Sequence, residues 1–231
     1  MLDQIETFIQ ISQPFDHQFG FRPGRSTICL LRKCNINIVH NMNCGHLTIL
    51  ILLDFSKAFD TIAHDILIQK LCKVGFSQSA VAFLTSYLRP RTVQTISNNN
   101  KSKPREIYSG VPQGSILGPM LFNLYVHDIT VAIPSSAKLY QYADDTQIVL
   151  TYEKNETKQK ILCDVENTIS SIEAWAEKKH FCLNISKRKV LPIFTKNSVF
   201  QRMNLFKEKG KKITFTKEAQ NLGIIYTYNM S

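Results

Sequence analysis

No run in this 231-residue chain is apolar for long enough to cross a membrane. The longest mainly apolar stretch, Leu47 to Leu53, falls far short of the roughly 20 residues a spanning helix needs. The N-terminus has no basic region followed by an apolar one, so no targeting signal is visible. Membrane partners are therefore not expected, and the chain reads as intracellular, with cytoplasm and nucleus unresolved. Cysteines at metal-ligand spacing are also missing. Cys29, Cys34, Cys44, Cys72, Cys163 and Cys182 form no C-x-x-C pair, which argues against a local zinc site. Most occupy apolar positions of predicted elements and are expected as reduced core residues. No internal repeat or low-complexity tract occurs, and a hydrophobic content of 44% suits a globular protein with a real core.

Charge is present, and it is unevenly spread. The formal net charge is +10, yet between Lys178 and Lys217 twelve Lys or Arg face a single acidic residue, Glu208. The remainder holds sixteen basic against seventeen acidic residues, so this one segment carries the whole excess. Such a segment is either a solvated tail or a surface that neutralises nucleic-acid phosphates. Composition alone does not choose.

Leu2, Ile5 and Ile9 follow helical spacing, and a second helix is expected from Ser26, a suitable N-cap, to Met42. Leu47 to Asp54 reads as a central strand buried on both faces, a buried helix being the alternative. Ser56 is expected to cap a helix with Phe59, Ile62, Ile66, Leu67 and Leu71 on one face, ending at Gly75. Ser77 starts another helix, running to Leu88. Residues 91–97 and 104–109 flank Asn98-Asn99-Asn100 as a hairpin. Beyond the loop SGVPQGS, a helix carries Leu117, Leu121, Leu124 and Tyr125, with Pro119 tolerable only in its first turn. Two strands surround the Ala143-Asp144-Asp145 turn. A long amphipathic helix through Ile161, Val165, Ile169, Ile172 and Trp175 follows, then strand-like runs near Val190, Ile213 and Leu222. The order predicts an α+β fold, a sheet with helices on one face.

Asp54 ends the apolar strand, and Asp144 and Asp145 sit in a turn between two strands. Neighbouring strands would bring these carboxylates together as oxygen ligands for two hard cations about 3.5–4 Å apart, an arrangement suited to in-line phosphoryl transfer. Each residue alone is an ordinary strand-end or turn acid.

Taken in order, LLDFSKAFD at 52–60, SGVPQGSILGPMLFNLY at 109–125 and YADD at 142–145 resemble the palm domain of reverse transcriptases, and in particular those of non-LTR (LINE-type) retrotransposons. QFGFRPGRST at 18–27 resembles the fingers motif of those enzymes, and LNISKRK and NLGI resemble their later palm motifs, so the likeness covers almost the whole chain. It implies a polymerase palm over 47–195, partial fingers over 1–46, and the end of the palm with a primer-grip-like hairpin over 196–231. The implied activity is RNA-directed DNA polymerisation from dNTPs on an RNA template and DNA primer, with Mg²⁺ or Mn²⁺ as the two divalent ions. Asp54 and Asp144 would bind metal, with Asp145 in support and the carbonyl of Phe55 completing the coordination. Phe59 would lie beneath the nucleotide sugar and exclude a 2′-hydroxyl. Gln113 and Gly114 would meet the template and the incoming base pair, Arg22 and Arg25 the triphosphate. Lys187 would protonate pyrophosphate, and Leu222 and Gly223 would form the primer grip.

The sequence departs from the pattern in places. Arg188 stands where the family usually has threonine, and Asn221 replaces an aromatic residue. With only eight residues after Gly223, no thumb, endonuclease domain or zinc knuckle is expected. The alternative is therefore a catalytically inactive, truncated retroelement remnant that at most binds nucleic acid. A nucleotide cyclase is disfavoured because no GGDEF-like turn occurs. Oligomeric state is left open.

Overall fold

The computed structural model describes residues 5, 7–9, 15–98, 100–196, 198–207 and 213–230. Leu2, Asn99 and the lysines at 209, 211 and 212, which entered the expectations above, lie outside these. The chain divides into two compact units. One takes Lys57–His127, Lys178–Phe181 and the N-terminal segment to Phe15; the other takes Asp16–Ser56, Asp128–Glu177 and everything from Cys182 onward.

The second unit is built on a four-stranded antiparallel sheet. Its strands are β1 (Leu47–Leu53), β7 (Lys138–Tyr142), β8 (Asp145–Tyr152) and β10 (Lys189–Ile193), in the order β10-β1-β8-β7. Every residue of β1 is buried, as the run of Leu and Ile predicts for a central strand covered on both faces. Register places Leu50 opposite both Leu191 and Val149, which stacks apolar side chains across three strands. Helix α1 (Thr27–Asn43) packs Leu30, Leu31, Cys34 and Ile38 into the same cluster as Leu50, Leu52 and Val149. Those helix positions recur at the spacing of one face. Its N-cap is Ser26, whose hydroxyl accepts from the amide of Cys29. Near its C-terminus, Asn41 donates to Thr48 and Thr151 at 3.1 and 2.9 Å, tying helix to sheet. A hairpin of β11 (Glu218–Asn221) and β12 (Ile224–Thr227) adds Ala219 and Tyr226 to this cluster.

Two short strands, β2 (Phe55–Ser56) and β9 (Cys182–Leu183), pair just beyond β1. Helix α5 (Lys158–Lys178) buries Ile161, Val165, Ile169, Ile172 and Trp175, the stripe its periodicity predicts. The Trp175 indole meets the buried ring of Phe55 edge-on and donates to Asp128. Among the described residues the run near Ile213 forms no strand, and Phe215 makes an isolated bridge with Val190.

The first unit holds α2 (His64–Val74), α3 (Gln78–Leu88) and α4 (Gly118–Val126). Gly75 ends α2 in the left-handed region, Ser77 caps α3, and Pro119 sits in the first turn of α4.

Three expectations are corrected. Ser56 does not cap a helix: it lies in β2, and α2 begins eight residues later without a side-chain cap. Residues 57–63 are instead pulled into a turn by a distant loop, with Val111 and Gly110 amides donating to the Phe59 and Ile62 carbonyls at 2.9 and 2.8 Å. Long-range bonds outweigh local helix propensity there. The hairpin between 91 and 109 is nested, β3 (Arg91–Val93) pairing β6 (Arg105–Ile107) and β4 (Ile96–Ser97) pairing β5 (Asn100–Lys101), with unpaired residues between. All six cysteines are free, but only Cys34 is buried. Cys163 and Cys72 fall off the buried stripes of their helices, and Cys44 stands at the end of α1.

Candidate active site

β1 and β8 are neighbours in antiparallel register, Leu53 opposite Thr146, so the residues that follow and precede them meet at one end of the sheet. Those residues are Asp54 and Asp145. Tyr142 pairs with Asp145, which leaves Ala143 and Asp144 as a two-residue turn between β7 and β8. Ala143 occupies the left-handed region, with φ of 54°. The sheet therefore presents three carboxylates together, from one strand end and one tight turn.

Their electrostatics follow from this crowding. Burial pushes the Asp144 carboxyl above the ordinary carboxylate range, and the nearby Asp54 adds to the shift, while its own backbone amide and Lys187 pull the other way. Asp145 is raised by burial first, then by Asp144 and Asp54. Asp54 is held more firmly. Its Oδ2 lies 3.2 Å from Lys187 Nζ and accepts from Asn184 Nδ2 at 3.3 Å, while its carbonyl accepts from the Asn184 amide at 2.9 Å. A cleft of about 430 Å³ opens over this arrangement. Asp54, Asp145, Lys187, Lys189, Asn221 and Leu222 are among the residues that line it.

Of the residues singled out from sequence, Asp54, Asp145, Lys187 and Leu222 line the cleft; Asp144, which feels the charges of Asp54 and Lys187, and Arg22, Arg25 and Gly223 are not in its lining. Arg22 has its guanidinium pKa lowered by partial burial and by Arg25. Arg25 lies 5.1 Å from the Phe19 ring centroid. Leu222 and Gly223 are the two left-handed residues of the β11–β12 turn, with φ of 47° and 85°.

Phe59, Gln113 and Gly114 belong to the other unit, where they too are close together. Phe59 stacks on the buried Phe122 at 4.3 Å between ring centroids. Gln113 donates to Asp60 at 2.9 Å. A Cβ on Gly110 would lie 2.8 Å from the Asp60 backbone, so the 109–115 loop presses against the Phe59 turn more closely than any side chain permits. Its carbonyl is bound by Arg91 at 2.7 Å and by His64 Nε2 at 2.8 Å. A carbonyl only accepts, so His64 carries its proton on Nε2, and Nδ1 is left to accept from Arg89.

Two contributors escaped the sequence reading. Asn184 restrains Asp54 from within the LNISKRK run, and Gln18 holds the Ala143 turn from 125 residues away. A polar side chain three residues before Lys187 was a signal for the first; nothing local signals the second.

The carboxylate oxygens are the hard donors that Mg²⁺ and Mn²⁺ prefer, and a cation would offset the charge that raises Asp144 and Asp145. In donor chemistry the site fits such ions. Among the described residues, however, no three His, Cys, Asp or Glu side chains converge closely enough to enclose one. The Lys187 ammonium is the charge partner Asp54 has here.

The sequence profile of the reverse transcriptase (RNA-dependent DNA polymerase) family matches residues 1–225. The chain belongs to that family. It is 31% identical over 216 residues to the probable RNA-directed DNA polymerase from transposon BS of Drosophila melanogaster, covering 90% of this chain and 23% of the relative. It is 25% identical over 224 residues to the corresponding protein from transposon X-element of the same fly, covering 90% and 24%. It thus spans about a quarter of these curated relatives. Among solved structures, apo telomerase from Candida tropicalis superposes with a TM-score of 0.63 at 10% identity, over 100% of this chain and 40% of that one. At that identity the likeness concerns the fold. Among the described residues, no helix is long and apolar enough to cross a membrane.

Proposed function

We propose that this chain is the polymerising domain of an RNA-directed DNA polymerase, which joins dNTPs to the 3′-hydroxyl of a DNA primer on an RNA template. The observation that carries this reading is the gathering of Asp54, Asp144 and Asp145 at one end of a buried antiparallel sheet, with Lys187 against Asp54. On this reading Asp54 and Asp144 hold two divalent cations, Mg²⁺ or Mn²⁺, with Asp145 in support and the Phe55 carbonyl as a further ligand. When bound, such ions lower the pKa of an attacking hydroxyl and neutralise charge on a leaving group. Lys187, released from Asp54, gives a proton to departing pyrophosphate. Leu222 and Gly223 support the primer end beside the same cleft.

Phe59 screens the sugar for a 2′-hydroxyl from its stack on Phe122, Gln113 and Gly114 face the template and base pair, and Arg22 and Arg25 bind the triphosphate. Residues 1–46 are then fingers, 47–195 palm and 196–231 the end of the palm. The basic residues between 178 and 217 contact the phosphates of the primer-template duplex. Primer extension on an RNA template tests the reading. The parent chain should extend with dNTPs and either metal, and Asp144→Asn should lose at least about 10³-fold in rate, the size of a lost transition-state charge contact. Absence of extension with every metal would leave the nucleic-acid-binding remnant as the better account.

A further inference from the structure

Gln18 is almost wholly buried, at 1% exposure, although it belongs to neither a helix nor a named strand. A buried amide needs partners for both ends, and Gln18 finds them in one place. Its Nε2 donates to the Ala143 carbonyl at 3.1 Å, and its Oε1 accepts from the Ala143 amide at 3.0 Å and from the Gly20 amide at 2.8 Å. The backbone beside it is fixed to β7, with the Gln141 amide donating to His17 at 2.7 Å and the Phe19 amide to Gln141 at 2.8 Å. Gly20 then passes so close to the turn that a Cβ there would lie 2.3 Å from the Ala143 nitrogen.

Ala143 is the residue this arrangement grips, and it is a non-glycine residue in left-handed backbone, a conformation disfavoured unless its surroundings hold it. It also directly precedes Asp144 and Asp145. We infer that Gln18 is a positioning residue for the two turn carboxylates: its amide replaces the missing ladder partners of Ala143 and fixes the turn in the one conformation that directs Asp144 and Asp145 toward Asp54. Gly20 is the companion requirement, since any side chain there would push the turn away. The part of this inference that concerns metal rests on the polymerase reading above; the part that concerns the turn does not.

The length of the side chain matters as well as its chemistry. Asparagine, one methylene shorter, cannot span both Ala143 groups from the same backbone. Methionine fills the volume and makes none of the three bonds.

The test compares the parent with Gln18→Met and, as a control for lost stability, Ile38→Val, which thins the same core away from the turn. Two readouts are taken: hydrogen exchange at the Ala143 amide, and the Mn²⁺ dissociation constant in the absence of nucleic acid. Gln18→Met should speed exchange at Ala143 about tenfold, the scale of one or two lost hydrogen bonds, with β8 amides unchanged. It should weaken Mn²⁺ about tenfold, as loss of a residue that orients metal ligands does. Ile38→Val should do neither. Unchanged exchange at Ala143 would overturn the clamp, and faster exchange with unaltered Mn²⁺ affinity would overturn its bearing on the carboxylates. A parent that binds no Mn²⁺ would sink the polymerase reading, and exchange alone would then judge the clamp. Should Gln18→Met fail to fold, Gln18→Asn decides between the same outcomes.

Discussion

Two hairpins reach the same cleft, one through Asp145 and the other through Leu222, and their turns are stabilised in opposite ways. The β7–β8 turn places a left-handed alanine, Ala143, under the Gln18 amide and the backbone of Gly20. The β11–β12 turn places a left-handed leucine, Leu222, beside Gly223, and among the described residues nothing lies within 4 Å of where a Cβ on Gly223 would be. One turn is held by distant sequence, the other by the conformational freedom of its own glycine. The carboxylates occur on the turn whose geometry the rest of the fold dictates. A turn that must aim charged groups gains from such external restraint; on the proposed reading the β11–β12 turn supports a primer end and does not require it.

The largest effect that would sharpen this contrast is steric. Gly20→Ala should destabilise the sheet unit by about 1–3 kcal/mol, because its Cβ meets backbone and not the flexible end of a side chain. Gly223→Ala should cost about 1 kcal/mol, the strain of left-handed backbone alone. Denaturant midpoints measured on both variants check the ranking; equal losses would remove the distinction between the turns.

Next in size is a trade between charge and stability. Burial and mutual repulsion raise the Asp145 carboxyl, so its ionised form is disfavoured in the folded state. Asp145→Asn should therefore raise the melting temperature of the metal-free protein by about 2–4 °C, roughly the shift that 1 kcal/mol gives at this size, while primer extension falls. A matching change at the other turn, Asn221→Asp, introduces charge beside buried Gln147 and should lower the melting temperature. The same sign for both variants would contradict the account.

The smallest effect lies away from both turns. His64 is held neutral, its pKa lowered chiefly by burial, with Arg89 and Arg91 adding to the shift. A histidine depressed in the folded state contributes full stability above its unfolded value near 6.5, and loses it as pH falls below that value. Between pH 7.5 and 6 the melting temperature should drop by about 1–3 °C, and His64→Gln should flatten that slope. Ala143 exchange, corrected for the intrinsic pH dependence, should not change, because His64 serves the Gly110 loop.

What could be read from the sequence was what its own neighbourhood decides. Ser26 and Ser77 cap helices as expected, because a cap bonds within three residues. The meeting of Asp54 with the YADD turn was legible because the end of a central strand and a hairpin turn on its neighbour fall at one end of the sheet. Ser56 misled because its segment answers to Gly110 and Val111, about fifty residues away. The cysteines misled because residue type does not fix position on a helix face, and only Cys34 is buried. Gln18 carries no local signal of its role, since its partner is 125 residues distant and is a backbone, which has no side-chain signature.

The claim at the centre is that the carboxylates at the end of β1 and in the β7–β8 turn hold divalent metal ions. Electron paramagnetic resonance of Mn²⁺ titrated into the parent and into Asp54→Asn tests it most directly. The account predicts that the parent depletes the free-ion signal at submillimolar Mn²⁺ and that Asp54→Asn shifts this by at least about tenfold. Equal depletion by the two proteins would contradict it.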